Sequence, residues 1–329
     1  MIYRLIDILQ CPTDGGFPLA LEVSEEITTD HPFKQPVRCQ TRCALQDELP
    51  SFDICVDCHQ KEIVEGTLTC PICGHKFQIA DGIADLIGPG FLDDERSDEV
   101  KDQRAEMETR DLMATRYDSM PPMRWTARFE IPAAARILEQ WPGDRMIELG
   151  CGTGRPTAAL ARRSNFFLAV DFSMNSLRAC RQKLAESPHV QFVRAEISCL
   201  PVRDGTFDTA LSFEVFEHLP GTRMRGTAVG EAARVLGDNG HFIISVYRES
   251  WFSRIFGKKE SYHFGGIYYF RFTPADLQEM LYPYFRIDVH HQRMGGLVQM
   301  AGCQKCLLQK AKLSAAAVQS RPTAQIQES

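Results

Sequence analysis

Residues Ser212 to Pro220 read SFEVFEHLP, which sets Glu214 and Glu217 three apart and puts His218 directly after the second. Two carboxylates and an imidazole in such a run suit a divalent cation, or supply a general base near neutral pH. A second grouping lies upstream, where Cys55-Val-Asp-Cys58 and Cys70-Pro-Ile-Cys73 form two C-x-x-C knuckles. Each knuckle offers two thiolates to one ion, so two of them can complete a tetrahedral zinc shell. The third grouping is ELGCGTGRP, where Gly150, Gly152 and Gly154 alternate behind Glu148 and enclose Cys151. Glycines at that spacing let a backbone approach a ligand and turn sharply.

Seven of the 12 cysteines, Cys11, Cys39, Cys43, Cys55, Cys58, Cys70 and Cys73, precede residue 74. Two pairings remain open. One is a single ribbon of Cys55, Cys58, Cys70 and Cys73. The other has two nested sites: an inner one of Cys39, Cys43, Cys55 and Cys58, and an outer one of Cys11, Cys70 and Cys73 with Asp14 as carboxylate ligand. In so small a segment, metal binding would supply much of the folding energy.

These residues need elements to hold them. From Arg145 onward, apolar runs (MIEL, FFLAV, VQFV, FDTALSF, HFIISV) alternate with helix-like stretches such as SLRACRQKLAE. That alternation predicts a parallel, doubly wound α/β sheet whose ligand sits beyond the carboxyl ends of its strands. The glycine loop ends the first strand, Asp171 the second, and Glu196 the third. A carboxylate at the second position can accept from ribose hydroxyls, and a second acid can face an adenine amino group. The loop reads G-x-G-x-G, whereas the dinucleotide fingerprint is G-x-G-x-x-G. A break at Gly88-Pro89-Gly90 followed by an acidic run marks a boundary, and that run is expected to be solvated. The net charge of −6 argues against a globally basic nucleic-acid binder. No apolar run reaches the length of a membrane span, and the first residues lack a signal-peptide core. The expected location is the cytoplasm, where paired cysteines bind metal more often than they form disulfides.

Two resemblances follow from these residues. LIDILQCPTDGG with EIVEGTLTCPICGHKFQIADGIADLI resembles the small zinc-ribbon proteins that activate tRNA, rRNA and protein methyltransferases, with Asp14 where a cysteine is usual. It implies a docking module holding one or two structural zinc ions, with a protein partner possible through it. MIELGCGTGR, AVDFSMNSL, VRAEISCLPVRDGTFDTALSFEVFEHL and EAARVLGDNGHFIISV, in that order, resemble class I S-adenosylmethionine-dependent methyltransferases of the type 11 group. That resemblance implies a seven-stranded Rossmann-like sheet with its last strand antiparallel, and a methyl transferred from S-adenosylmethionine to a small-molecule or RNA acceptor. The implied organisation is a zinc-binding ribbon-like domain over 1–88, an acidic linker and start of lid helices over 89–120, the methyltransferase domain over 121–310, and a disordered tail over 311–329.

Carried over, Gly150, Cys151, Gly152 and Gly154 would pass the methionine part of the donor, and Glu148 would hold that loop and reach toward the donor's amino group. Asp171 would bind ribose and Phe172 would pack on the nucleoside. Glu196 and the backbone at Ile197 would read adenine. Ser212 and Phe213 would line the methionine side. Tyr117 or Trp125 would contact the donor from the lid helices. For SFEVFEHLP three readings stay open: a cation site of Glu214, Glu217 and His218; catalysis by His218, with Glu217 beside it; or a helix start. The basic and aromatic insert YRESWFSRIFGKKESYHFGGIYYFRF could stack RNA or cover a small-molecule pocket. The alternative to an enzyme is a donor-binding protein without turnover, whose zinc module scaffolds a partner.

Overall fold

The computed structural model describes residues 1–29, 60–89, 98–141, 143–256, 258–263, 266–294 and 297–306. Cys39, Cys43, Cys55, Cys58 and the tail over 311–329 lie outside them.

From Arg145 the chain alternates strands and helices: β5 (Arg145–Leu149), β6 (Phe166–Asp171), β7 (Val190–Arg194), β8 (Phe207–Phe213) and β9 (Leu236–Tyr247). All five pair in parallel, in the order β7-β6-β5-β8-β9. Every residue of β5 and β6 is buried, as a parallel sheet covered on both faces requires. The hairpin of β12 (Phe285–Met294) and β13 (Val298–Lys305) closes this edge, and β13 alone of the seven runs antiparallel to its neighbours. The seven-stranded, doubly wound sheet therefore stands as the sequence implied.

Four further strands lengthen it. These are β1 (Ala20–Thr28), β2 (Lys61–Thr69), β3 (Lys76–Ala80) and β4 (Ile83–Asp85), an antiparallel ribbon. β4 pairs in parallel with β7 through Ala84↔Val193 and Asp85↔Arg194, which makes one sheet of eleven strands. Leu5, Leu9, Ile63 and Leu68 of the N-terminal segment share one apolar core with Ile147, Phe166, Val170 and Phe207. Polar ties cross the same boundary. Arg194 Nη1 meets Asp85 at 2.8 Å, Arg178 meets Asp81 at 2.9 Å, and the Ile2 amide donates to Gln191 at 2.9 Å.

Seven described helices accompany the sheets: α1 (Asp98–Met113), α2 (Pro121–Gln140), α3 (Arg155–Leu160), α4 (Met174–Lys183), α5 (Gly221–Val235), α6 (Trp251–Phe256) and α7 (Pro274–Leu281). α4 begins where Ser173 accepts the Ser176 amide, an N-cap that places the helix directly after the β6 carboxyl end. β10 (Glu260–Tyr262) and β11 (Tyr268–Phe270) form a separate hairpin. The described end of the acidic run, residues 98–102, is exposed or half-buried, and burial begins further along α1 at Gln103 and Glu106. No described helix is long and apolar enough to cross a membrane.

Candidate functional site

The carboxyl ends of β5, β6, β7 and β8 open into one cleft. Its wall includes Gly150, Cys151, Gly152, Asp171, Phe172, Glu196, Ile197 and Phe213, as the sequence expectation had them. The loop after β5 is glycine by necessity. Gly150 and Gly154 have φ of +75° and +81°, and a Cβ there would stand 2.5 Å from Val215 and 2.3 Å from the Cys180 sulfur. Gly152, at φ +52°, has nothing within 4 Å of its would-be Cβ. Its requirement is therefore backbone shape and open space beside the cleft. A Gly154→Ala variant is expected to lose a substantial part of its stability, read as a lower melting temperature; an unchanged melting curve would show that the loop can shift.

Asp171 holds this loop. Its Oδ2 accepts the Gly152 amide at 2.8 Å and its Oδ1 the Ser173 amide at 2.9 Å. Burial raises the Asp171 pKa, and these two N–H groups oppose the rise. Glu196 accepts the Ser198 amide at 2.8 Å and also the Ser198 hydroxyl, and burial raises its pKa as well. Two expected residues stand off the wall. Glu148 lies behind the loop, where Thr157 donates to its Oε2 at 2.6 Å and its Oε1 is buried without a partner. Burial pushes its carboxyl up to about 8. Ser212 is fully buried and donates to the Leu149 carbonyl at 3.0 Å. Neighbouring side chains in a strand point to opposite faces, so Phe213 reaches the cleft and Ser212 does not.

The stretch after β8 sends its polar groups in three directions. Glu214, one of the residues lining the cleft, adopts φ +55°, a region rare outside glycine, and its buried carboxylate stands 3.8 Å from Arg155. Glu217 turns inward and accepts the Tyr247 amide at 3.3 Å, with burial and the Glu214 charge holding its pKa well up. His218 lines the cleft with Nδ1 2.8 Å from the Tyr268 carbonyl oxygen. A carbonyl only accepts, so Nδ1 carries the proton and Nε2 keeps its lone pair. Burial, then the Arg110 charge, lowers the His218 pKa well below its usual value, so the ring is neutral near pH 7. Among the described residues, the only cluster of potential metal ligands lies elsewhere. Phe216–His218 is a short 3-10 turn, and α5 starts after it at Gly221.

Of the fourth wall, the sequence singled out only Tyr117. Gln103, Glu106 and Arg110 of α1 line the cleft, with Tyr117 just after it. Arg110 donates to Glu106 at 3.0 Å and stands 5.2 Å from the Tyr117 ring. Burial pushes Glu106 up to about 7. In sequence these look like an ordinary i, i+4 pair on a solvated helix, and only the missing opposite wall distinguishes them. Trp125, the other lid expectation, is 46% exposed and packs edge-on against Phe129 instead. The β10–β11 hairpin reaches α1 through Tyr262, whose hydroxyl donates to Asp102 at 3.0 Å. Two of the insert's cations are paired with acids, Arg254 with Glu249 at 3.4 Å and Lys259 with Asp276 at 2.9 Å. Tyr268 and Tyr269 are buried.

A separate cluster joins Cys11, Asp14, Cys70 and Cys73, whose ligand atoms all lie within 4.8 Å of one another. The Cys11 and Cys73 sulfurs are 3.9 Å apart, and the Cys70 sulfur is 3.3 Å from Asp14 Oδ1. The Gly16 amide fixes Asp14 by donating to it at 2.8 Å. This is the outer set of the nested pairing, with Asp14 in the place of a cysteine.

Comparison with known proteins follows the same division. Residues 147–244 match the family model described as "Methyltransferase domain", and residues 3–82 match "Trm112p-like protein". A demethylmenaquinone methyltransferase of Clavibacter sepedonicus is 34% identical over 119 residues, 35% of this chain and 46% of that protein. A tRNA (carboxymethyluridine(34)-5-O)-methyltransferase of Arabidopsis thaliana is 31% identical over 133 residues, 40% of this chain and 31% of that protein. The chain thus spans less than half the length of these curated relatives. In fold, it is similar to the Burkholderia thailandensis 1,6-didemethyltoxoflavin-N1-methyltransferase with bound S-adenosylhomocysteine. That match has a TM-score of 0.51 and 20% identity, and covers 65% of this chain and 92% of the other.

Proposed function

Because residues 147–244 match a methyltransferase domain and residues 3–82 a Trm112p-like protein, we propose that this chain transfers a methyl group from S-adenosylmethionine to a small-molecule acceptor. The observation that carries this reading is the single cleft onto which the glycine loop, Asp171 and Glu196 all open, from three adjacent strand ends. S-adenosylmethionine, when bound, supplies a methyl group on a sulfonium to a nucleophile in line with it. The residues supply position, which can account for much of the rate of such a displacement. Asp171 would take the ribose hydroxyls and Glu196 with Ile197 the adenine edge. Phe172 would pack on the nucleoside. Gly150, Cys151, Gly152 and Phe213 would border the methionine part, with Gly154 turning the loop and Glu148 holding it from behind. His218 Nε2 would accept the proton of an acceptor that must lose one.

A small acceptor suits a cleft walled on one side by α1 and Tyr117. The likeness to a tRNA methyltransferase favours a second reading, an RNA acceptor. Turnover with labelled donor and a cell extract discriminates between them. Activity that survives nuclease and follows the low-molecular-weight filtrate supports the first; activity lost to nuclease supports the second. No turnover with any fraction would leave a donor-binding scaffold. Donor binding has its own test. Asp171→Ala is expected to weaken S-adenosylmethionine by roughly tenfold to a hundredfold in calorimetry, as for a lost charged hydrogen-bonding group. An unchanged affinity would remove Asp171 from the site.

Cys11, Asp14, Cys70 and Cys73 would hold one structural zinc ion. Sulfurs bound to zinc at ~2.3 Å in a tetrahedron stand about 3.8 Å apart, near the separation of Cys11 and Cys73. The ion would pin the N-terminal segment to the turn between β2 and β3. The domain's first partner is then the methyltransferase domain of its own chain, through β4 and β7.

A further inference from the structure

Glu214 has no part in the roles assigned so far, yet its surroundings are unusual. Its side chain is 3% exposed, and its carboxylate lies against the buried Glu130 carboxyl, whose pKa is raised by burial and then by the Glu214 charge. The other acids near it are engaged: Glu106 receives Arg110, Glu130 receives the Ser245 hydroxyl, and Glu217 receives the Tyr247 amide. The nearest cation to Glu214 is Arg155, at 3.8 Å. The backbone stands at φ +55°, a conformation that a non-glycine residue keeps only where its surroundings hold it. Glu214 therefore lines the cleft from a strained backbone position and carries a buried carboxylate.

The sheet order says what should meet it. Asp171 and Glu196 stand at the ends of β6 and β7, so on the donor-binding reading a nucleoside would lie over that side and the methionine part over β5 and its neighbour β8. Glu214 follows β8 directly, and Val215 packs against Gly150 of the loop. Two guanidiniums, Arg110 and Arg155, also line this wall, and alone they would repel a cation.

We propose that the Glu214 carboxylate faces the transferred methyl and selects the positively charged donor over the neutral demethylated product. This rests on the donor-binding reading above. The charge that distinguishes substrate from product is the sulfonium, and it vanishes on transfer, so such a carboxylate aids product release.

Calorimetry tests this without any acceptor. The probes are S-adenosylmethionine, S-adenosylhomocysteine, and sinefungin, in which an amine-bearing carbon replaces the methylsulfonium. The variants are Glu214→Gln, which keeps shape and removes charge, and Glu214→Asn, which tolerates positive φ. The expected result is about tenfold weaker binding of both cationic ligands with S-adenosylhomocysteine changed less than about twofold. Equal weakening of all three would place Glu214 on the amino-acid end or in the fold, and no change would place it outside the site. Either outcome overturns the proposal. Failure of the unaltered protein to bind any of the three would instead overturn the donor site itself.

Discussion

His218→Ala is expected to lower turnover by about a hundredfold to ten-thousandfold, the range of a positioned general base, and to leave donor affinity unchanged. The neutral ring donates through Nδ1 to the Tyr268 carbonyl and keeps a lone pair on Nε2. Its pKa lies well below 6.5 because burial, then the Arg110 charge, disfavours the imidazolium. The base form is thus already present at neutral pH, and turnover is expected to hold level as pH falls from 8 to about 6.5. His218→Asn separates chemistry from support, since its amide N–H can replace Nδ1 while it has no base to offer. A dead Asn variant that binds donor normally assigns the loss to proton transfer. An active one would make His218 a support for the β11 backbone and move the base elsewhere.

Stripping the metal is expected to have the largest effect on stability. A zinc chelator, or Cys70→Ser, should lower the melting temperature by roughly 10 °C or more, since metal binding in such small domains carries much of their folding energy. The geometry makes the effect global. Cys11 follows a buried N-terminal segment whose Leu5 and Leu9 lie in the same core as Ile147 and Phe166. Loosening Cys11 from Cys70 and Cys73 therefore disturbs a core that continues under β5 and β6. Metal analysis before and after treatment completes the test. A protein that melts unchanged with its zinc removed, or that never held any, would sink the reading of the four residues as a structural site.

Much of the cleft could be read from the chain because its parts are local. A G-x-G-x-G loop after an apolar strand needs positive φ and close contacts, and Gly150 and Gly154 have both. Asp171 and Glu196 were legible as acids at strand ends. Glu148 and Ser212 were placed on the cleft by resemblance and stand behind it, Ser212 because it alternates with Phe213 across β8. Gln103, Glu106 and Arg110 could not be found, because helical charge spacing is the same whether a face meets water or a cleft.

The sequence by itself carried the two-part pattern: clustered cysteines before alternating strands and helices, with glycines and acids at the strand ends. Those are consequences of short-range chain geometry and ligand chemistry. Tertiary structure alone decided three things. It joined the ribbon to the larger sheet through two residue pairs between β4 and β7. It laid α1 over the cleft. It also separated Glu214, Glu217 and His218, which look like one ligand set in SFEVFEHLP and meet Arg155, Tyr247 and Tyr268 instead. The reason is common to all three. Strand partners, helix docking and side-chain direction depend on residues distant in sequence, and no local spacing encodes them.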